Sequence, residues 1–201
     1  MASDARTVGR PATVEDVPIV AACLASAFYD DPLWGHWAFP DERRRQRDLL
    51  AFMTLMAQLG FDEMWTAITV GGESVTLWTL PGVSHAAPEH EALISELFDD
   101  LFGERASALH ALFEQFQDLT PTGHFYHLEW WATRRDLARR GFGGALIREN
   151  LARVDAKHVP CYLESTNPVN LPRYEALGFR PVEEFAPPGG PTVTTMWREA
   201  R

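Results

Sequence analysis

The chain has 201 residues, of which 46% are hydrophobic, and a formal net charge of -10 at pH 7. This length allows one substantial core, so we expect a single domain over residues 1–201. The acidic balance argues against nucleic acid or an anionic membrane as a partner. It is compatible with a cationic small-molecule substrate, or with solubility alone.

Targeting and redox signals are weak in this sequence. No apolar run reaches the roughly 20 residues of a membrane span, and the N-terminal MASDARTVGR has no apolar segment of signal-peptide type. Cys23 and Cys161 lie far apart in apolar surroundings, which predicts two buried thiols rather than a disulfide. We therefore expect a cytoplasmic protein.

The N-terminal part predicts a short strand followed by two helices. Thr13 resembles a helix N-cap, with Asp16 three residues later. The first helix then has an apolar face of regular spacing, formed by Val17, Val20, Ala21, Leu24 and Phe28. YDDPLWGHWAF breaks this helix, and Asp41 can cap a second one, ERRRQRDLLAFMTLMAQLGF, whose arginines we interpret as solvated.

The middle of the chain predicts a hairpin and then helical structure. MWTAITVGGESVTLWTL contains two β-rich runs around Gly71 and Gly72, and Pro81-Gly82 ends the hairpin. Residues 85–119 have a helical pattern, which predicts two helices or one helix bent around Gly103. The aromatic segment HFYHLEWWAT is predicted to be a central strand.

The last third alternates strands and helices. After a glycine-rich turn and its helix come the strand PCYLEST, the short helix NLPRYEALG closed by Gly178, and the strands FRPVEEF and TVTTMWRE. The strand–helix–strand unit over residues 126–165 implies a right-handed parallel crossover. The final strands imply an antiparallel part, so the predicted fold class is mixed α/β.

The glycine-rich turn opens RRGFGGALIRENLARV, at residues 139–154. Free N–H groups in the first turn of a helix, the helix dipole and close backbone approach at glycine all favour a phosphate or pyrophosphate ligand. Leu146 stands where the dinucleotide fingerprint needs its third glycine, and the GK[ST] of a P-loop is absent. The alternative interpretation is tight helix–strand packing without a ligand.

Two motifs resemble those of the GNAT N-acetyltransferase superfamily. LARRGFGGALI is similar to its acetyl-CoA pyrophosphate loop, Q/R-x-x-G-x-G/A; Gly141 and Gly143 match, and Ala138 departs from the usual Gln or Arg. YLESTNPVNLPRYEALGF resembles the later motif, with Asn170 and Tyr174 spaced as N-x-x-x-Y. The resemblance covers roughly residues 7–197, and segments such as RPATVEDVP and GGPTVTTMWRE resemble the puromycin N-acetyltransferases within the superfamily.

The resemblance implies a fold and a cosubstrate. The expected fold is a central mixed, mostly antiparallel sheet of about six to seven strands flanked by helices, with HFYHLEWWAT and PCYLEST as a parallel pair. Acetyl-CoA is the implied cosubstrate. Its pantetheine and thioester would pair with the backbone of Trp131, Ala132 and Thr133, and Asn170 would contact the pantetheine arm or serve as an N-cap. The implied pyrophosphate site is Arg139, Arg140, Gly141, Phe142, Gly143 and Gly144.

The resemblance also implies a catalytic arrangement. Tyr174 would stand near the sulfur, and its ordinary pKa of about 10 against about 8.5 for a thiol favours a hydrogen bond to the leaving thiolate. On an unbulged strand His127, Glu129 and Trp131 share one face with Phe125, which makes Glu129 the first candidate base and His127 the second. No covalent nucleophile pattern is present, so direct attack in a ternary complex is expected. The histidine spacing predicts no metal site.

The acceptor would contact the break YDDPLWGHW. Asp30 and Asp31 are candidates for attracting a cation, and Tyr29, Trp34 and Trp37 for stacking on a ring; PPGGP at residues 187–191 is a candidate cover. The aspartates could equally be turn residues and the aromatics core or dimer contacts.

The predicted function is acetylation of a small-molecule amine, with an aminonucleoside or other antibiotic as the leading acceptor and antibiotic resistance as the implied role. O-acetyl or other acyl-CoA transfer, a protein or peptide amine acceptor, and a non-catalytic acyl-CoA-sensing module are the alternatives. The sequence does not distinguish a monomer from a homodimer.

Overall fold

The alternating β-rich segments of the sequence form one mixed sheet in the computed structural model, which describes residues 9–83, 95 and 98–201. Seven strands are present in those residues: β1 (Arg10–Pro11), β2 (Met64–Ile68), β3 (Ser74–Thr79), β4 (Tyr126–Thr133), β5 (Cys161–Ser165), β6 (Arg180–Phe185) and β7 (Val193–Arg198). Their order is β1-β2-β3-β4-β5-β7-β6. Among these described strands, only β4 and β5 pair in parallel; the other neighbours pair antiparallel. The predicted fold class is confirmed.

Helices cover both faces of this sheet. They are α1 (Val17–Phe28), α2 (Glu42–Glu63), α3 (Ala106–Leu119), α4 (Phe142–Asp155) and α5 (Leu171–Ala176), with a π-helical segment at Pro32–Trp37. One core packs α1, α2 and α3 against the sheet, and a second core packs α4 and α5 against its other face. Within the described ranges no helix has both the length and the apolar character needed to cross a membrane.

Several local predictions are confirmed. The Thr13 N–H donates to Asp16 Oδ2 (2.8 Å), and the Asp41 carboxylate accepts from the Arg43 N–H (3.0 Å) at the start of α2. The predicted apolar face of α1 is buried at Val17, Val20, Ala21 and Leu24 and partly buried at Phe28. Strands β2 and β3 form the predicted hairpin. Both cysteines are buried and form no disulfide. Gly178 follows α5 with φ 97°. Gly103 (φ 51°) interrupts the helical residues 98–119, whereas 84–94, 96 and 97 lie outside the described residues.

The arginine run at the start of α2 departs from its prediction at one position. Arg43 is fully solvated, but Arg45 is buried. Its Nε donates to the Phe39 carbonyl (2.8 Å), and its guanidinium lies 5.4 Å from the centre of the Tyr29 ring. Carbonyl acceptors and the aromatic face thus replace water around this cation.

Strand β4 contains a bulge, which corrects the expectation of a regular strand. Leu128 lies opposite Trp78 and Trp130 lies opposite Leu77, so Glu129 is the extra residue in β4. The bulge reverses the alternation: Leu128 joins the core under α4, and Trp130 joins the core under α1. The prediction that Trp131 shares a face with His127 and Glu129 is therefore wrong.

The parallel pair β4–β5 is short, and this positions the site. Tyr126 pairs with Cys161 and His127 with Tyr162, and no later pair of the two strands forms in the described part of the chain. Residues 130–133 of β4 therefore have a strand partner on the β3 side and none on the β5 side among the described residues. The two strands diverge toward their carboxyl ends, where ligands of α/β sheets commonly bind.

Candidate active site

A groove of about 680 Å³ opens where β4 and β5 diverge. The end of β4, the glycine-rich turn, the first turns of α4 and the ends of α1 and α5 form its walls. The structure brings nine of the ten predicted cosubstrate residues to this groove: Trp131, Ala132, Thr133, Arg139, Gly141, Phe142, Gly143, Gly144 and Asn170. Arg140 is exposed outside the lining.

The glycine-rich turn presents free backbone donors to the groove. Gly141 adopts φ 92° as the N-cap of α4, and its carbonyl accepts the Ala145 N–H (2.9 Å). The N–H groups of Phe142, Gly143 and Gly144 precede this first helical bond and have no intrahelical acceptor. An anion placed against this turn would meet these donors and the positive end of the helix dipole.

Arginines give the groove a positive charge although the whole chain is acidic. Arg135, Arg148 and Arg173 line it together with the predicted Arg139. Arg148 stands one helical turn after Gly144, a spacing that was visible in the sequence, and the Arg173 guanidinium lies 5.6 Å from the Trp131 ring centre. Guanidinium groups and free N–H donors in one groove can hold a ligand that carries phosphate groups.

A smaller cavity of about 50 Å³ adjoins the groove. The boundary between the groove and the cavity is formed by four residues that line both spaces: Phe28, Trp131, Asn170 and Tyr174. Beyond this boundary the cavity is lined by the rings of Trp34 and Trp130 and by two carboxylates, Glu129 and Glu164, but by no Lys or Arg among the described residues. The two spaces have opposite electrostatic character.

Tyr174 is positioned between the cationic groove and the acidic cavity. Its ring packs edge-on against Trp131 (5.7 Å between ring centres) and Phe179 (6.1 Å). Its hydroxyl forms no hydrogen bond with any described residue. Burial raises the pKa of Tyr174 above its ordinary value, outweighing the opposite effect of Arg173. The side chain is therefore a neutral phenol that can donate a hydrogen bond at neutral pH.

His127 joins the two carboxylates of the cavity. Its Nδ1 lies 2.9 Å from Glu129 Oε1 and its Nε2 lies 2.7 Å from Glu164 Oε2. Burial alone would lower the pKa of His127, but Glu129 and Glu164 outweigh it and raise the pKa to about 10. His127 is then an imidazolium at neutral pH, which holds the carboxylates and has no free site for another proton. Of the two candidate bases, only Glu129 lines the cavity.

Sequence reasoning missed Glu164. The residue lies in β5, two residues after Tyr162, the last position that pairs with β4, and its side chain is 9% exposed. The available signal was a carboxylate in the otherwise apolar strand segment CYLES. Glu129, in turn, was found from its own strand, and its Oε1 also accepts from Thr79 Oγ1 (2.8 Å).

The predicted acceptor residues Tyr29 and Asp30 are already engaged by arginines. Arg45 and Arg135 lie 5.4 and 5.0 Å from the Tyr29 ring centre. Arg135 also pairs with Asp30 at 2.6 Å on the rim of the groove. Tyr29 lines neither space, and Asp30 lines only the groove.

Asp31 is a cap at the start of the π-helical segment. Its Oδ1 accepts from the N–H groups of Leu33 and Trp34 (both 3.0 Å), and its Oδ2 accepts from Thr166 Oγ1 (2.9 Å). Burial raises its pKa, with these hydrogen bonds acting in the opposite direction. Asp31 thus fixes the end of α1 to the loop after β5 rather than presenting a free charge.

The two tryptophans of this segment differ. Trp34 is 4% exposed, stacks on Phe52 (5.3 Å between ring centres) and reaches the small cavity from the core. Trp37 lines neither space; its indole N–H donates to the Pro188 carbonyl (3.3 Å), and Arg105 covers its ring. The loop at residues 187–191 is therefore attached to the π-helical segment.

No protein-family model matches the chain. Its fold is that of solved acetyltransferases. The solved structure of histone acetyltransferase HPA2 and related acetyltransferase from Corynebacterium glutamicum is 24% identical in sequence to this chain. The two align with a TM-score of 0.70 over 96% of each chain. Arylalkylamine N-acetyltransferase 2 from Aedes aegypti has 15% identity and a TM-score of 0.62, over 96% of this chain and 98% of that one. Polyamine N-acetyltransferase from Drosophila melanogaster has 18% identity and a TM-score of 0.58, over 95% and 98%. The shared fold is that of the GCN5-related N-acetyltransferases.

Proposed function

We propose that this chain is an acetyl-CoA-dependent N-acetyltransferase, acting as one domain on the amine of a small molecule. The observation that carries the proposal is the position of Tyr174, between a cationic groove on one side and an acidic, aromatic cavity on the other. The similar fold of acetyltransferases with polyamine and arylalkylamine acceptors supports the same class of reaction.

The groove residues would hold the cosubstrate by its two polar regions. Residues 130–133 of β4 have no strand partner on the β5 side in the described part of the chain, which suits the amides of a pantetheine arm. The turn at residues 141–144 and the groove arginines suit its phosphates, and Ala138 leaves this contact to backbone donors and to neighbouring guanidinium groups. When bound, acetyl-CoA supplies the activated thioester acyl group.

Two kinds of side chain would assist the acetyl transfer: a carboxylate of the cavity as the base, and Tyr174 as a hydrogen-bond donor. The amine nitrogen forms a bond to the acyl carbon as the carbon–sulfur bond breaks, and a carboxylate of the cavity accepts the proton that the amine loses. Tyr174 donates a hydrogen bond to the departing sulfur; its raised pKa makes full proton transfer to the thiolate still less favourable. No covalent enzyme intermediate is needed for this direct attack.

An aminonucleoside or other antibiotic-like amine is the leading acceptor within this proposal. Its support is the sequence resemblance to puromycin N-acetyltransferases, together with the aromatic lining of the cavity. On this proposal the chain would act in antibiotic resistance, in the cytoplasm, without nucleic acid or membrane partners.

Thiol release from acetyl-CoA tests the function. The acceptors would be puromycin, polyamines, aminoglycosides and simple primary amines, and a thermal-shift titration with CoA would run in parallel. Tyr174→Phe should lower kcat by about 10- to 100-fold, because one donor to the developing charge is lost, with little change in the CoA-induced shift. Tyr126→Phe is the matched control, since Tyr126 packs on Trp65 and Trp78 away from both spaces.

The results of these assays distinguish an acetyltransferase that uses Tyr174 from a non-catalytic acyl-CoA-sensing module. Release that falls only in Tyr174→Phe supports the enzyme and the role of the phenol. Equal kcat in the two variants contradicts that role. A CoA-induced thermal shift without thiol release for any acceptor contradicts the proposed enzymatic activity and favours an acyl-CoA-sensing module. The absence of a thermal shift with CoA contradicts the proposal that the groove binds the cosubstrate.

A further inference from the structure

We propose that Glu164 receives the acceptor, and that the acceptor enters the small cavity as a protonated primary ammonium ion. This inference rests on the proposed function and adds a specificity-determining residue on β5. It moves the recognition of the acceptor cation away from Asp30 and Asp31, where the sequence suggested it.

One oxygen of Glu164 remains available for a ligand. The side chain lines the cavity and is 9% exposed, and its Oε2 is committed to His127 Nε2 at 2.7 Å. Its Oε1 is buried and accepts no hydrogen bond from any described residue. The nearby Tyr162 hydroxyl donates to the Leu119 carbonyl (3.3 Å), and Glu164 contributes, after burial, to the raised pKa of this phenol. A buried carboxylate oxygen without a donor is costly, and a ligand N–H would remove this cost.

The charges around the cavity favour a cation. Glu129 and Glu164 flank a single imidazolium, so with both carboxylates ionised the group retains one net negative charge. No Lys or Arg of the described residues lines the cavity to compensate it. An ammonium ion would complete the neutralisation, and the rings of Phe28, Trp34 and Trp130 add favourable cation–π surfaces.

Other titratable groups near Glu164 are committed elsewhere. From the segment after α1, Asp31 accepts hydrogen bonds at both oxygens, and from β4, Glu129 Oε1 accepts from Thr79. Tyr162, next to Glu164 in β5, and Tyr174 from α5 are neutral because burial raises the pKa of both phenols. Glu164 Oε1 is thus a buried carboxylate oxygen without a donor among the described residues, and it can accept a hydrogen bond from an ammonium.

Binding as an ammonium also defines the proton step. One N–H proton of the bound ammonium passes to Glu164 Oε1, which frees the nitrogen lone pair for attack on the acyl carbon. Once the carbon–nitrogen bond has formed, the nitrogen loses a second proton to the departing sulfur as the carbon–sulfur bond breaks, so the products are the amide and the CoA thiol, and Glu164 returns its proton to solvent. The wild-type enzyme would then use the protonated amine, which is the abundant form at neutral pH for amines of pKa near 9 to 10. An enzyme without this carboxylate would react only with the neutral amine, which is a small fraction of the total amine at neutral pH.

Calorimetric titration of the CoA-saturated protein tests the binding step. The probes are 2-phenylethylammonium chloride and the neutral 2-phenylethanol at pH 7. We expect wild type to bind the ammonium at least tenfold more tightly than the alcohol, and Glu164→Gln to lose this preference. Asp136→Asn is the control: it also removes one carboxylate, but at the surface and outside both spaces, and should keep the preference.

Kinetics with the same amine test the proton step. For Glu164→Gln, kcat/KM should rise about tenfold per pH unit up to the pKa of the amine, whereas wild type should show a flatter profile over the same range. Glu164→Asp, which keeps the charge, should restore part of the ammonium preference, and it replaces Glu164→Gln if that variant does not fold. A structural role alone would not change these profiles.

The outcomes distinguish this inference from the proposed function. Equal binding of ammonium and alcohol by wild type, or an unchanged preference in Glu164→Gln, overturns the role of Glu164 even if thiol release continues. Failure of the unmodified protein to bind CoA overturns the proposed function instead. A CoA thermal shift, measured for each variant, verifies that its groove is intact.

Discussion

At the residue scale, the adjacent glycines Gly143 and Gly144 serve different purposes. Gly143 is buried where α4 meets β4, and a Cβ there would collide with Thr133 Oγ1 and lie 3.1 Å from Trp131 Nε1. A Cβ at Gly144 would meet the Arg148 guanidinium at 3.4 Å, an ordinary contact. Gly143 therefore allows close helix–strand packing, and Gly144 keeps the backbone open to the groove. The packing interpretation of this turn therefore has support at Gly143, and the ligand interpretation stays a prediction for which Gly144 leaves room.

A pair of alanine variants tests this distinction. Gly143→Ala should lower the free energy of unfolding by about 1–3 kcal/mol, because the added methyl overpacks the interface with β4. Gly144→Ala should change it by less than about 1 kcal/mol, since alanine favours the helix, while weakening CoA binding through the methyl on the groove side. Denaturant unfolding and CoA titration of both variants give the answer. Equal losses of stability would contradict the division of roles.

The charge of His127 shows the limit of reasoning from a single residue. Its strand and its proximity to Glu129 were visible in the sequence. Its pKa depends on Glu164, which is brought to it by the parallel pairing of β5. The argument against His127 as the base therefore required the tertiary arrangement.

At the element scale, a buried ion pair joins β7 to the end of α4. Arg198 is 2% exposed, and its two terminal nitrogens bind the Asp155 carboxylate at 2.6 and 2.8 Å. Its Nε donates to the Leu177 carbonyl (3.0 Å), next to the end of α5. One side chain thus connects three elements that follow the glycine-rich turn. The hydrogen bond from Arg198 lowers the pKa of Asp155.

Asp155→Asn should destabilise the protein in a pH-dependent way. Removing one partner leaves a buried guanidinium charge, so we expect a loss of about 2–3 kcal/mol near pH 7. The folded-state pKa of Asp155 is depressed, so its stabilisation is present above the ordinary pKa of about 4 and is lost as the pH falls through the folded value. The difference between wild type and variant should shrink below about pH 4.

Urea unfolding at several pH values measures this difference. Asp136→Asn is the matched control, because Asp136 pairs with Arg134 at the surface and that pair should contribute less than about 1 kcal/mol. A difference for Asp155→Asn that is as small as the control, or that stays constant down to pH 3, would contradict the buried-pair argument.

Irregular elements were the least predictable part of the fold. The bulge at Glu129 depends on the pairing of β4 with β3, and the sequence HFYHLEWWAT alternates without any signal for it. The π-helical turn at Pro32–Trp37 lies in a segment whose Asp-Pro and Gly indicate only a break. Both features decide which side chains reach the cavity, Trp131 and Trp34 among them.

At the scale of the whole molecule, the order of elements was accessible from sequence and the pockets were not. Periodicity and turn residues located the strands, and the strand–helix–strand unit indicated the parallel pair. The groove arises from the divergence of β4 and β5, and its arginines come from separate parts of the chain, such as Arg135 and Arg173. Long-range convergence of this kind leaves little signal in local spacing.

The short β4–β5 contact divides the sheet into two blocks that meet along only two residue pairs. One block contains β1 to β4 and the other contains β5, β7 and β6. In the absence of a ligand these blocks are candidates for separate foldons, because few backbone bonds oppose their separation. A pantetheine arm between them would act as a short additional strand.

Hydrogen–deuterium exchange can measure this coupling directly. We expect CoA to slow amide exchange in residues 130–133, and also in β6 and β7, where it makes no contact, because the two blocks would then open together. The hairpin β2–β3 serves as the internal reference and should change little. Protection confined to the contacted amides would mean that the blocks already behave as one cooperative unit. If exchange slows in both blocks, the bound cosubstrate also stabilises the sheet by bridging the gap between β4 and β5.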